Sequence, residues 1–105
     1  MSDELQVSRL VDLVSYQAGA VVSRIVLKRD AGNVALFAFD VGQELSEHTT
    51  SYEALVQVTD GEAAITVAGR PYRVGTGEII LMPAHQPHAL KAVSRFKMLL
   101  TMIRS

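Results

Sequence analysis

The stretch Gly77-Glu78-Ile79-Ile80-Leu81-Met82-Pro83-Ala84-His85-Gln86-Pro87-His88-Ala89-Leu90-Lys91-Ala92 carries the reading from which the fold follows. A short apolar run is opened by glycines, stopped by Pro83, and answered by a second run that begins at His88. Proline ends a strand without needing a ladder donor, and Gly77 marks a bend before one. The unit is strand, Pro-rich turn, strand.

The same texture extends upstream. β-rich runs predict strands over residues 21–29, 34–41, 52–59, 63–67, 71–74, 78–82, 88–93 and 96–103. Between them lie turn residues: Asp30-Ala31-Gly32-Asn33, Asp60-Gly61, Gly69 and Gly75-Thr76-Gly77. Many short strands punctuated by Gly and Pro predict an all-β sandwich or barrel. One segment reads differently. Val7, Leu10, Val11 and Val14 recur at helical spacing, which predicts a turn or two of N-terminal helix closed by Gly19.

Composition narrows the class. The chain has 105 residues, a net charge of −1 and no cysteine. A single domain over 1–105 is expected at that length. Near-neutral charge gives no field for nucleic-acid phosphates. Without cysteine there is no disulfide, thiolate nucleophile or thiolate metal site. No apolar run is long enough for a helical membrane span, and Met1-Ser2-Asp3-Glu4 is acidic where a signal peptide is basic. A cytoplasmic location is therefore expected.

The chain resembles the cupin superfamily in its small, single-domain RmlC-like form. The first motif of that family, G-x5-H-x-H-x3,4-E-x6-G, is met over residues 42–61 by Gly42, His48 and Gly61. The second, G-x5-P-x-G-x2-H-x3-N, is met over residues 77–92 by Gly77, Pro83 and His88. The resemblance implies a double-stranded β-helix, or jelly-roll barrel, with His48 and His88 brought together in its lumen. Strand parity then puts Thr50 on the same face as His48, and alternate side chains of a small barrel face inward.

The departures are equally specific. Thr50 stands at the family's second histidine position and Ala54 at its glutamate position. His85 replaces the turn glycine and Ala92 the final asparagine. In typical metal-binding members the ligands are three histidines and one glutamate, so two imidazoles are left here. His85 could swing inward as a third ligand, giving a His48, His88, His85 set for a divalent transition metal such as Zn, Fe, Ni or Mn. Glu53 could serve only if a bulge near Tyr52 turned it inward.

Two readings of function follow. The first is a protein that binds a small molecule in its lumen, with Thr50, Tyr52, Phe37 and Met82 as candidate ligand contacts. The second is a metal-dependent oxygenase, isomerase or lyase using His48 and His88 with His85 or Glu53. A metal-free enzyme with a lumenal histidine as general base ranks third. The strand at 34–41 is apolar on both faces and that at 96–103 on one face and half of the other, which predicts that a second sheet or a second subunit covers the outer one. A homodimer is the expected cover.

Overall fold

A computed structural model describes residues 6–104. Nine strands form two antiparallel sheets facing each other. They are β1 (Val21–Arg29), β2 (Gly32–Phe39), β3 (Glu44–His48), β4 (Tyr52–Asp60), β5 (Glu62–Val67), β6 (Arg70–Gly75), β7 (Ile79–Met82), β8 (His88–Ala92) and β9 (Phe96–Arg104). The larger sheet runs β1-β2-β9-β4-β7 and the smaller β3-β8-β5-β6. This is the jelly roll that the cupin resemblance implies, and one form of the all-β sandwich or barrel that the turn spacing predicts.

The core lies between the sheets and is built from alternate residues. Val56 and Val58 of β4, Ile65 of β5, Phe96 of β9 and Phe39 of β2 are fully buried. The rings of Phe39 and Phe96 stack with centroids 4.4 Å apart. Outside, the two sheets differ. The smaller sheet turns Glu44, Ser46, Thr66 and Lys91 outward, a wet face of the kind an antiparallel sheet tolerates. On the larger sheet, register places Leu55, Ile79, Leu81, Leu99, Thr101 and Ile103 together on the outer face.

Two expectations change. The helical spacing at residues 7–14 yields only a 3-10 turn, Leu10–Asp12, and Val7 is fully exposed. No side chain caps that turn at Arg9, and so short a helix cannot repay its nucleation. Its apolar residues find burial without helix: Val14 packs with Leu36 and Ala38, flanked by Leu10, Leu13 and Tyr16. The segment is also pinned by polar contacts. Tyr16 donates to Asp60 at 2.6 Å, Lys97 donates to the Val11 carbonyl, and Gly19 N–H donates to Asp40. Burial and the Asp60 bond push the Tyr16 phenol well above its ordinary value. The Gly19 and Val41 N–H groups hold the Asp40 carboxyl below the usual range, aided by Arg95.

The second change is a strand that hydropathy does not show. Glu44-Leu45-Ser46-Glu47-His48 carries a single apolar residue, yet it pairs with β8 as β3. A bulge falls between Leu45 and His48: three steps along β3 answer two along β8, from Leu90 to His88.

Candidate functional site

The open end of the barrel holds the site. Leu45 and His48 of β3 and His88 and Leu90 of β8 form one wall of a cavity of about 310 Å³. Ala54 of β4, Met82 of β7, and Met98, Leu100 and Met102 of β9 form the other, with Thr49 and Thr50 at the β3–β4 connection. Three thioethers and three leucines make it apolar almost throughout.

The bulge explains how Leu45 and His48, an odd number of residues apart, both reach the lumen. One extra residue between them shifts the alternation back into phase. It also supports the imidazole, since His48 Nδ1 lies 2.8 Å from the Ser46 carbonyl. His88 is held in the same manner by the Gln86 carbonyl at 3.2 Å. A carbonyl only accepts, so Nδ1–H donates in both rings and each neutral ring leaves Nε2 bare. Those two Nε2 atoms face each other at 3.0 Å, with the rings edge to face.

Two bare lone pairs at that distance repel unless something positive or a donor hydrogen lies between them. A shared proton is one answer, but His88 resists it. It is 3% exposed; burial first, and the neighbouring His48 second, lower its pKa, against a smaller raising effect from the Gln86 carbonyl. The pair thus presents two Nε2 atoms at the mouth of an apolar cavity, placed to receive a donor hydrogen or a cation between them.

The remaining candidate residues fall on different surfaces. Thr50 lines the cavity, and its Oγ1 accepts the Tyr52 N–H at 3.2 Å. Met82 lines it at 2% exposure. Tyr52 is not among the lining residues, and Phe37 packs against the inter-sheet core beside Phe39. His85 is exposed and does not line the cavity. Its backbone rather than its ring is engaged: φ is +69°, and its N–H donates to the Thr50 carbonyl at 2.7 Å, tying the two motif loops together. Glu53 pairs with Ile103 in an unbroken register from Tyr52 to Val58, so it faces away from Ala54.

The donor set can be tested against a divalent metal on these positions. His48 and His88 supply two imidazoles, Thr50 a hydroxyl already accepting a bond, and Ala54 nothing. Among the described residues no group of three or more His, Cys, Asp or Glu side chains is placed to hold an ion. Catalytic zinc is normally held by three protein ligands, and the non-haem iron triad needs a carboxylate. The residues present do not fit such a centre.

Sequence reading missed Leu45, Thr49, Met98, Leu100 and Met102 as cavity residues. The even face of β9 was legible as apolar, but nothing in one strand says where the smaller sheet stops covering it.

Comparison with known proteins agrees with this architecture. The chain is similar over 99% of its length to a conserved protein of unknown function from Streptococcus pyogenes, at 35% identity, 91% coverage of that chain and a TM-score of 0.93. A cupin 2 conserved barrel domain protein from Leptotrichia buccalis aligns with 90% of the chain at 35% identity and a TM-score of 0.88, the match spanning 46% of that protein. A cupin superfamily protein from Desulfitobacterium hafniense matches 99% of the chain and 97% of its own at 26% identity, TM-score 0.91. A search of curated proteins gave no match. The cupin domain profile spans residues 35–104, two thirds of the chain including both histidine strands, and the chain therefore belongs to the cupin family.

Proposed function

We propose that the barrel binds a small, largely apolar molecule that presents one hydrogen-bond donor, a phenol or primary amine, to the His48–His88 pair. The observation that carries this is the approach of the two Nε2 atoms to 3.0 Å in a lumen whose other lining is apolar apart from Thr49 and Thr50. A greasy wall with few convergent polar groups is the general form of a ligand pocket, and 310 Å³ lies at the small end of the range. Cupins include enzymes, and a metal-dependent oxygenase, isomerase or lyase remains the alternative use of the same pair. Nothing in the geometry favours it, because His85 and Glu53 lie outside the lumen.

The test uses phenol, benzylamine and donor-less toluene against protein labelled at the methionine methyls. Phenol or benzylamine should shift the Met82, Met98 and Met102 resonances. His48→Ala/His88→Ala should weaken those probes about tenfold, the worth of one good hydrogen bond, and leave toluene unchanged. Unshifted methyls at millimolar probe, or equal affinity for toluene in the native protein, would overturn the reading.

We further propose that the outer face of the larger sheet is covered by a second copy of the chain. Ile79, Leu81 and Ile103 are each more than half exposed there, beside half-buried Leu55 and Leu99. No helix among the described residues is long and apolar enough to cross a membrane.

A further inference from the structure

Where the family's carboxylate is missing, this chain has put sulfur. Ala54 stands in register with Met82 on β7 and with Met102 on β9. Directly opposed residues share a face with Cβ atoms about 5 Å apart, so two thioethers flank the lumenal position whose side chain is only a methyl. Both methionines line the cavity that His48 and His88 close. Methionine also serves as adaptable packing, but packing alone does not require it to gather around a vacant ligand position opposite two bare imidazole nitrogens.

We propose that the lumen is a soft-metal site that takes one Cu(I) ion on Nε2 of His48 and His88, with the thioether of Met82 or Met102 as a further ligand. Thioether sulfur selects Cu(I), and imidazole also suits copper. A monovalent ion asks less of this cavity than a divalent one. Desolvating charge in an apolar enclosure is expensive, and no carboxylate lines the lumen to compensate it. The backbone carbonyls of Ser46 and Gln86 already fix both rings with Nε2 inward, the outer-shell arrangement that metal-binding imidazoles use. The mismatch with a divalent centre and the presence of the methionines then have one explanation.

The proposal uses the imidazole pair but does not depend on small-molecule binding, and the two can fail separately. Full-length protein is titrated with Cu(I) under argon against bicinchoninate, with Zn(II) in parallel. The native protein should take one equivalent of Cu(I). Met82→Leu/Met102→Leu, which keeps the apolar walls, should weaken Cu(I) at least tenfold, and neither protein should hold stoichiometric Zn(II), whose ligand set is not met. His48→Ala/His88→Ala should abolish Cu(I) uptake. Selenomethionine protein gives a readout that needs no variant: selenium-edge absorption should show copper as a direct neighbour of selenium. Failure of the native protein to withdraw Cu(I) from the chelator, unchanged affinity in the double leucine variant, or selenium without a copper neighbour would each overturn the proposal. Loss of phenol binding with Cu(I) uptake intact would count against the small-molecule reading alone.

Discussion

His85 holds a backbone conformation that few side chains adopt by choice. Its φ of +69° lies in the left-handed region, at the place where the related turn has glycine. Histidine there pays steric strain that glycine avoids. The ring gains nothing from the cavity, which it does not line. His85→Gly should therefore raise stability by about 0.5–1 kcal/mol, the strain relieved less the extra unfolded-chain entropy of glycine. His85→Ala keeps the strain and should leave the denaturation midpoint near that of the native protein. Both variants should bind phenol and Cu(I) unchanged, since the N–H to Thr50 is retained. A fall in stability with glycine would mean that the ring does more than occupy the turn. At this scale the sequence was informative through spacing: His48, His88, Thr50 and Ala54 were legible as one constellation because residue identity at fixed intervals survives without knowledge of packing. The direction of His85 was not, because a turn's φ decides it and hydropathy is blind to φ.

Strands whose apolar residues alternate, β4, β5 and β9, stand where the pattern puts them, with ends moved by a residue or so. The one strand left out, β3, is polar at four of its five positions and bulged. Period-two alternation cannot register a strand whose phase slips inside it. The element that delivers His48 is thus the one that the pattern hides. The same attention to backbone sign makes a prediction for the β5–β6 hairpin. Val67 pairs with Arg70, leaving Ala68 and Gly69 as a two-residue loop with φ of +50° and +79°. Such loops require positive φ at both positions and favour Asn-Gly. Ala68→Asn should stabilise the protein by about 0.5–1 kcal/mol, read as a higher urea midpoint with an unchanged slope. Gly61 shows the opposite constraint in the β4–β5 turn: at φ +77°, a Cβ there would sit 1.8 Å from the Arg95 carbonyl oxygen. The Asp60-Gly61 turn signal already called for positive φ there, and the long-range contact adds a steric reason that no local propensity shows.

Across the whole molecule the asymmetry between the two outer faces is the unexplained quantity, and the proposed homodimer would resolve it. The N-terminal segment covers the β1–β2 half of the larger sheet through Val14, Leu13 and Leu10. The β9-β4-β7 part keeps Ile79, Leu81 and Ile103 in water, with Leu55 of β4 between them and Glu53 and Gln57 of the same strand on the same face. An exposed apolar patch rimmed by polar residues such as Glu53 and Gln57 usually marks an interface, and a two-fold axis through this part of the sheet would bury the patch on itself. Light scattering at micromolar concentration should return twice the 11.4 kDa chain mass. Leu81→Lys should return a monomer, because each copy would bring a lysine to a desolvated, self-complementary contact. The site should be indifferent to that change. Leu81 faces outward while its strand neighbour Met82 faces the lumen, so the monomeric variant should retain phenol and Cu(I) binding. A monomeric native protein would remove the dimer, and a Leu81→Lys dimer would move its interface to another surface. Loss of lumenal binding on dissociation would instead show that the partner helps shape the mouth of the barrel.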